Sequence, residues 1–167
     1  MTASGIAIAP VQRGDLTDLL AMIHALAEYE KLSHLVVADS AALGRALFGE
    51  KPVAEALIAR ELSETGAPVG FALFFPTFST FLGRGGLWLE DLFVYPGSRG
   101  QGIGRALLLN LAGIARERGC GRLEWAVLDW NAPAIQFYQG LGATLMSDWR
   151  ICRVAGPALE RLASGEV

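Results

Sequence analysis

Residues 97 to 104 are Gly-Ser-Arg-Gly-Gln-Gly-Ile-Gly, and this glycine-rich stretch is the most informative part of the sequence. It lies between an apolar run from Leu87 to Tyr95 and an amphipathic stretch from Ile103 to Arg118. That order predicts a strand, a tight loop and the first turn of a helix. Backbone N–H groups at a helix start are unpaired and carry the positive end of the helix dipole. The loop is therefore expected to bind a pyrophosphate group.

The glycines let the main chain approach an anion closely in conformations that a side chain would forbid. Arg99 is expected to add one fixed positive charge to this anion site. The predicted loop site consists of seven consecutive residues: Arg99, Gly100, Gln101, Gly102, Ile103, Gly104 and Arg105.

Spacing argues against two other phosphate-binding loops. A P-loop needs Gly, four residues and then Gly-Lys-Ser/Thr, a run that is absent from the sequence. A dinucleotide-binding loop needs Gly-x-Gly-x-x-Gly/Ala near the start of its domain, whereas about half of this chain precedes the loop. The order Arg-x-x-Gly-x-Gly fits neither.

This order resembles the acyl-coenzyme A loop of the GNAT family of N-acetyltransferases. Two flanking segments are similar to the diamine (spermidine/spermine) N-acetyltransferase branch of that family. They are Leu-Glu-Asp-Leu-Phe-Val at 89–94, and Trp-Ala-Val-Leu-Asp-Trp-Asn at 125–131 with Phe137-Tyr138 after it. The likeness is close over 86–150 and looser over 6–76. It implies a transferase that uses acetyl-coenzyme A.

Length and composition fit one catalytic domain. The chain has 167 residues, of which 52% are hydrophobic and 19% charged, enough for one sizeable core. We expect a single N-acetyltransferase domain over 1–167. The order of elements predicts an α/β fold with a mixed sheet. The resemblance implies a GNAT-like sheet, mixed but mainly antiparallel, with helices on both faces.

Periodicity and turn residues give the individual elements. Helices are predicted near 16–27, 40–48, 103–118 and 132–141, with Asp39-Ser40 as the cap of the second. Strands are predicted near 5–9, 53–62, 69–75, 87–95 and 122–128. A final antiparallel pair is predicted at 143–146 and 149–154.

Charge and cysteine content narrow the class of protein. The net charge of −3 argues against a nucleic-acid-binding protein. Cys120 and Cys152 are too few for a disulfide framework, and His24 and His34 form no spaced metal-binding motif with them. This cysteine and histidine pattern predicts no metal. Because the sequence shows no secretory leader and no 18-residue apolar run, we expect a cytoplasmic protein with no membrane partner.

Glu90 is the candidate catalytic base. An alkylammonium has a pKa near 10.4, so only on the order of one amine in a thousand is neutral at pH 7 and a base must accept its proton, directly or through water. Resemblance to the diamine branch points to Glu90, which alternation places on the same face as Trp88 and opposite Asp91. The alternative is a strand carboxylate that pairs with a neighbouring arginine.

Tyr138 matches a tyrosine that the family often places beside the coenzyme sulfur. Its phenol is protonated at pH 7 and is the candidate proton donor to the departing thiolate. An aromatic residue at helical spacing is otherwise explained by core packing.

The pantetheine arm of the coenzyme is expected to lie along Leu92, Phe93 and Val94, with an oxyanion-binding backbone N–H near Val94, because family members interrupt strand pairing there. Asn131 is a further candidate contact to the pantetheine. An asparagine at a strand-to-helix junction is explained equally well as an N-cap.

Acidic and aromatic residues form the candidate acceptor site. Glu30 matches an acid of the diamine branch that contacts a distal ammonium, and its alternative is a solvated helix end. Candidate acceptor contacts are Glu30, Glu90, Asp91, Asp148 and Trp149. The loop at Asp148 is shorter than in the diamine branch. Gln139-Gly140 stands where that branch often has basic residues after the tyrosine. Both departures weaken the assignment of a polyamine as the acceptor.

The resemblance therefore implies direct acetyl transfer from acetyl-coenzyme A to a primary amine of a small molecule, with a diamine or polyamine as the leading acceptor. Thialysine or another lysine-like amino acid is the alternative. A non-catalytic acyl-coenzyme A sensor and a peptide acetyltransferase stay open. The resemblance also implies a homodimer.

Overall fold

The computed structural model describes residues 5–166, which form five strands and five α-helices. The strands are β1 (Ile6–Pro10), β2 (Glu55–Glu61), β3 (Pro68–Ser79), β4 (Arg84–Val94) and β5 (Leu123–Trp125). The helices are α1 (Leu16–Tyr29), α2 (Ser40–Phe48), α3 (Ile103–Glu117), α4 (Ala132–Gly140) and α5 (Pro157–Ser164). The chain divides into two compact units, one up to Ala126 and one from Val127 onward. The prediction of one domain over 1–167 stays a prediction.

All five strands of the first unit form one sheet in the order β1-β2-β3-β4-β5. Neighbouring strands are antiparallel from β1 to β4, and β5 runs parallel to β4. The predicted mixed, mainly antiparallel sheet is confirmed.

Both faces of this sheet are covered. Consecutive residues of β2, from Ala56 to Ala59, are all buried, although successive side chains of a strand point to opposite faces. On one face, α1 and α2 pack with Ile58 and Phe71 in a single apolar cluster. Helix α3 contacts β2, β3 and β4 and buries its own apolar stripe, including Leu107 and Leu111, outside that cluster. It therefore covers the other face.

Strand β4 contains a β-bulge. Asp91 pairs with Leu73 and Leu89 pairs with Phe74, so Glu90 and Asp91 occupy the length of one residue on β3. A bulge bends the strand and interrupts its alternation. The predicted strand at 87–95 is confirmed, but its bulge was not predicted.

The helix predictions in the first unit are confirmed, caps included. The Asp39 carboxylate accepts a hydrogen bond from the backbone N–H of Ala42 at 2.7 Å, which is the N-cap contact expected before α2. Gly119, with φ of 66°, follows the end of α3 in the left-handed conformation that glycine favours.

In the second unit, α4 is confirmed, but the predicted strand pair at 143–146 and 149–154 is wrong. Those residues form no strand in the structure, and the described sheet ends at β5. A strand needs a neighbour to accept its hydrogen bonds and a core to cover one face. The apolar side chains of this segment instead face solvent: Trp149 is 72% exposed and Ile151 68%. Helix α5 follows and was not predicted.

Strand β5 is also shorter than predicted, since it ends at Trp125 rather than continuing to Leu128. Among the described residues, no helix is long and apolar enough to cross a membrane.

Candidate functional site

The glycine-rich loop joins β4 to α3, as predicted. Gly100 and Gly102 have φ values of 77° and 79°, and a Cβ atom at either position would meet no atom within 4 Å. Backbone conformation rather than lack of space therefore requires glycine there. Gly102 is the N-cap of α3, and the loop residues 99–102 before this helix are exposed. This arrangement fits a pyrophosphate.

The side chains of the loop have different surroundings. Ile103 is 2% exposed and anchors α3 in the core, whereas Gln101 and Arg105 are exposed to solvent. Arg99 folds back onto β4, where its Nε donates to the carbonyl oxygen of Val94 at 3.0 Å. Its guanidinium carbon lies 4.5 Å from the centre of the Tyr29 ring.

One edge of β4 becomes open beside the loop. Strand β5 pairs with β4 from Leu87 to Leu89, and no strand in the described part of the chain continues this pairing along 90–94. The N–H of Tyr95 donates to Val69 on the β3 side at 3.0 Å. Alternation from Tyr95 directs the N–H groups of Leu92 and Val94 to the open edge.

The bulge sets which amides face that edge. Leu87 donates its N–H to Arg122 on the β5 side at 3.1 Å, so regular alternation from Leu87 would direct odd-numbered residues to the open edge. Because of the extra residue at Glu90, the N–H groups that face the open edge are instead those of the even-numbered Leu92 and Val94. The open edge thus offers backbone donors of the kind that an extended pantetheine chain and a thioester oxygen need.

Three carboxylates form a cluster in which the charges of Glu30 and Glu90 act on Asp91. Glu30 follows the last residue of α1, and Glu90 and Asp91 are on β4. Burial, followed by the charges of Glu90 and Glu30, raises the pKa of Asp91 from 3.8 to about 6. Burial also raises the pKa of Glu30. The site therefore favours a cation, whose charge would offset this repulsion.

Glu90 itself is exposed, and its carboxylate accepts a hydrogen bond from the indole nitrogen of Trp88 at 2.9 Å. The two side chains therefore share a face, as alternation predicted. Of the two β4 carboxylates, Glu90 faces solvent and Asp91 is half-buried.

The end of α1 is set by local backbone geometry. Leu32 donates its N–H to the Ala27 carbonyl at 2.7 Å, and Lys31 takes a left-handed conformation with φ of 63°. These are the features of a Schellman motif, although its left-handed position usually holds glycine. The motif fixes the position of Tyr29 and Glu30.

The second unit contains the remaining candidates, of which Asn131 is the best defined. Its carboxamide oxygen accepts a hydrogen bond from the N–H of Ala134 at 3.3 Å, and its side chain is buried. The N-cap interpretation of Asn131 is confirmed, and its contact to pantetheine stays a prediction. Tyr138 is half-buried on α4, with its ring 5.3 Å from that of Phe137. Asp148 and Trp149 are exposed.

Sequence reasoning missed two contributors to the first unit's site, Tyr29 and Trp88. An aromatic residue directly before Glu30 and another two residues before Glu90 were the available signals. Neither signal reveals which side chain each ring contacts. In the described residues, no group of three or more His, Cys, Asp or Glu side chains is placed to hold a metal ion.

Comparison with known proteins agrees with this geometry. The profile of the acetyltransferase (GNAT) family matches residues 21–143, which is most of the chain. The protein belongs to the GNAT family. It is an acetyl-coenzyme A-dependent N-acetyltransferase, and the resemblance inferred from the loop is confirmed.

Curated relatives of this GNAT protein include two named N-acetyltransferases. A thialysine N-epsilon-acetyltransferase of Bos taurus is 40% identical over 166 residues, covering 95% of this chain and 97% of the relative. An L-ornithine N5-acetyltransferase of Arabidopsis thaliana is 32% identical over 183 residues, covering 84% of this chain and 80% of the relative. An integron cassette protein from the mobile metagenome of V. cholerae has a similar structure, with a TM-score of 0.79, 29% identity and coverage of 95% and 98%.

Proposed function

We propose that this protein transfers the acetyl group of acetyl-coenzyme A to the side-chain amine of a lysine-like amino acid such as thialysine. The observation that carries the proposal is the 40% identity, over nearly the whole chain, to a thialysine N-epsilon-acetyltransferase. The acceptor named first from sequence was a diamine or polyamine; the relatives support the alternative better.

The carboxylate cluster supports an acceptor with two amines. A lysine-like amino acid has an α-ammonium group besides the amine that reacts, and a diamine has a second ammonium. Glu30 and Asp91, both half-buried, are proposed to hold that second cation, whose charge favours the ionised form of Asp91. Asp148 and Trp149 are proposed as further acceptor contacts.

Acetyl-coenzyme A supplies the thioester. We propose that the N-terminal amides of α3 and the loop 99–105 hold its pyrophosphate, and that β4 binds its pantetheine at Leu92, Phe93 and Val94. The Leu92 and Val94 amides at the open edge are the proposed donors to the thioester oxygen. Asn131 is a proposed further contact to the coenzyme.

Glu90 is the proposed base. It is exposed and held by Trp88, so it can accept a proton from an incoming ammonium, directly or through water. The neutral nitrogen then forms a C–N bond to the acetyl carbon while the C–S bond breaks, and the nitrogen releases its surplus proton to solvent to give the neutral amide. Tyr138 is the proposed donor of a proton to the departing thiolate. A homodimer is proposed from the resemblance alone, and a cytoplasmic location stays an expectation.

The test is acetyl-coenzyme A-dependent thiol release on thialysine, lysine, ornithine, putrescine, spermidine and a short peptide. Glu90→Gln is expected to lower kcat/KM by about 100-fold and Tyr138→Phe by about tenfold, as for other acid and base residues. Glu117→Gln, an exposed glutamate at the end of α3, is the matched control and should leave kcat/KM unchanged.

Faster turnover of putrescine or spermidine than of thialysine would return the assignment to a diamine acceptor. Turnover of the peptide alone would assign a protein substrate. Coenzyme A binding without turnover on any acceptor would contradict the proposed reaction and favour a sensor.

A further inference from the structure

Arg99 connects three elements of the first unit. It belongs to the loop, its Nε donates to Val94 at the end of β4, and its guanidinium lies over the ring of Tyr29, the last residue of α1. The ring of Phe93 lies further away, at 6.0 Å from the guanidinium carbon. The Arg99 side chain therefore connects the predicted coenzyme loop with the end of α1, the helix that Glu30 follows.

Each partner of Arg99 is itself fixed. Phe93 is 3% exposed and packs edge-on against Tyr95 with ring centres 5.2 Å apart. Tyr29 stands at the Schellman end of α1, where the negative end of the helix dipole favours a cation. A guanidinium over an aromatic ring gains further electrostatic attraction. The resting position of Arg99 is thus determined by rigid elements.

The loop needs such an anchor. Gly100 and Gly102 flank Gln101 directly after Arg99, and glycine loses more conformational freedom than any other residue when a segment becomes ordered. A loop held in place before its ligand arrives avoids part of this entropic cost at binding. The contacts of Arg99 with Tyr29 and Val94 hold the loop before Gly100, and the buried Ile103 holds it after Gly102.

We propose that Tyr29 is a positioning residue for coenzyme binding, which acts by holding Arg99 and thereby orders the loop before the first turn of α3. Tyr29 does not touch the coenzyme in this assignment; it acts through Arg99. The inference rests on the proposed use of the loop for the pyrophosphate, and it is independent of which amine is the acceptor.

Calorimetric titration with coenzyme A, without any amine present, tests the proposal. Tyr29→Leu removes the aromatic face and is expected to raise the Kd about fivefold, the size of one cation–π contact. Tyr29→Phe keeps the face and should change the Kd by less than about twofold. Phe81→Leu, on an aromatic side chain that is 97% exposed, is the control and should have no effect.

A double-mutant cycle shows whether Tyr29 acts through Arg99. In the Arg99→Gln background, Tyr29→Leu should add no further loss of affinity, because the contact is already absent. Amide hydrogen exchange at 97–102 should be faster in Tyr29→Leu and unchanged in Tyr29→Phe, a difference that a general loss of stability would not produce.

Unchanged affinity in Tyr29→Leu, equal losses in the Leu and Phe variants, or additive losses with Arg99→Gln would each overturn the inference. Gly102→Val separates this failure from failure of the loop assignment, because a β-branched residue cannot readily adopt φ of 79°. If Gly102→Val binds coenzyme A normally, the loop is not the coenzyme site and both proposals fail. If only Tyr29→Leu is without effect, the loop assignment stands.

Discussion

The two units of the chain differ in how they use apolar residues. The first unit contains every buried apolar side chain among the described residues, with Phe71, Leu19 and Leu107 fully inaccessible. Among the described residues of the second unit, the buried one is the polar Asn131, while Trp130 is 52% exposed and Met146 63% exposed. A segment rich in apolar residues is therefore not by itself a core.

Sheet formation explains this difference. In the first unit, strands bring residues distant in sequence together, so helices can cover both faces. The described second unit consists of two helices of nine and eight residues with irregular chain between them. Units of about 40 residues bury too small a fraction of their surface to be stable without additional support.

Removing a large side chain from the first unit should have the largest effect. Phe71→Ala is expected to lower the free energy of unfolding by about 3 to 5 kcal/mol, because it leaves a cavity between the sheet and α1. Met146→Ala, the matched change in the second unit, should alter it by less than about 0.5 kcal/mol. Chemical denaturation measures both, and a similar loss in the two variants would contradict the contrast between the units.

The half-buried carboxyl group of Asp91 provides the next test. Because the pKa of Asp91 is raised to about 6, the folded protein favours the protonated carboxyl group. The stability associated with this group is complete below its ordinary pKa of 3.8 and is lost as the pH rises through about 6. Asp91→Asn should therefore be about 2 to 3 kcal/mol more stable than the wild type at pH 7, with the difference vanishing below about pH 4.

Denaturation at several pH values measures this difference. The same variant should have weaker acceptor binding, seen as a raised KM, if Asp91 holds the second ammonium. A variant no more stable than the wild type at pH 7 would mean that Asp91 is not penalised by burial.

Each unit has a helix whose first turn is capped by a side-chain hydrogen bond, so removal of the two caps compares the units. Asp39→Ala and Asn131→Ala each remove the side-chain hydrogen bond that caps a helix start, and the loss of each cap should cost about 1 kcal/mol locally. The loss at Asp39 should appear in global unfolding, because α2 belongs to the core. The loss at Asn131 should appear mainly as faster hydrogen exchange in α4. Equal effects on global unfolding would show that both units unfold together.

A surface ion pair should have the smallest effect. Arg118 donates to both carboxylate oxygens of Glu55 at 2.6 and 2.7 Å, and these hydrogen bonds hold the pKa of Glu55 below its usual range. Both side chains are more than a third exposed, so Arg118→Gln should cost less than about 1 kcal/mol. That cost should shrink further in high salt, and a salt-independent loss would argue against a solvent-screened pair.

Local signals made most of the first unit predictable. The glycines at 100 and 102, the cap at Asp39 and the stop at Gly119 each depend on neighbours within a few residues, and all were visible in the sequence. The strand at 87–95 was also visible, because its apolar run is long.

Non-local facts were not predictable. The bulge at Glu90 is defined by pairing with β3, and the contact of Arg99 with Tyr29 joins residues 70 positions apart. The strands predicted near 143–154 failed for a related reason, since β-propensity there was not matched by a partner strand or a covering face. Whether Glu90, Tyr138 and the other candidates act as proposed is a matter for the kinetic tests.

Because β4 contains an extra residue, adding or removing a single residue at position 90 would change how the rest of the strand pairs. A substitution at Glu90 would change one side chain, but deletion of that residue would restore regular alternation and exchange the two edges of the strand beyond it. The amides of Leu92 and Val94 would then turn toward β3, and their neighbours would take the open edge. Insertions and deletions of a single residue should therefore be much less tolerated at 90 than in the exposed turn at 62–65, where the chain can absorb them.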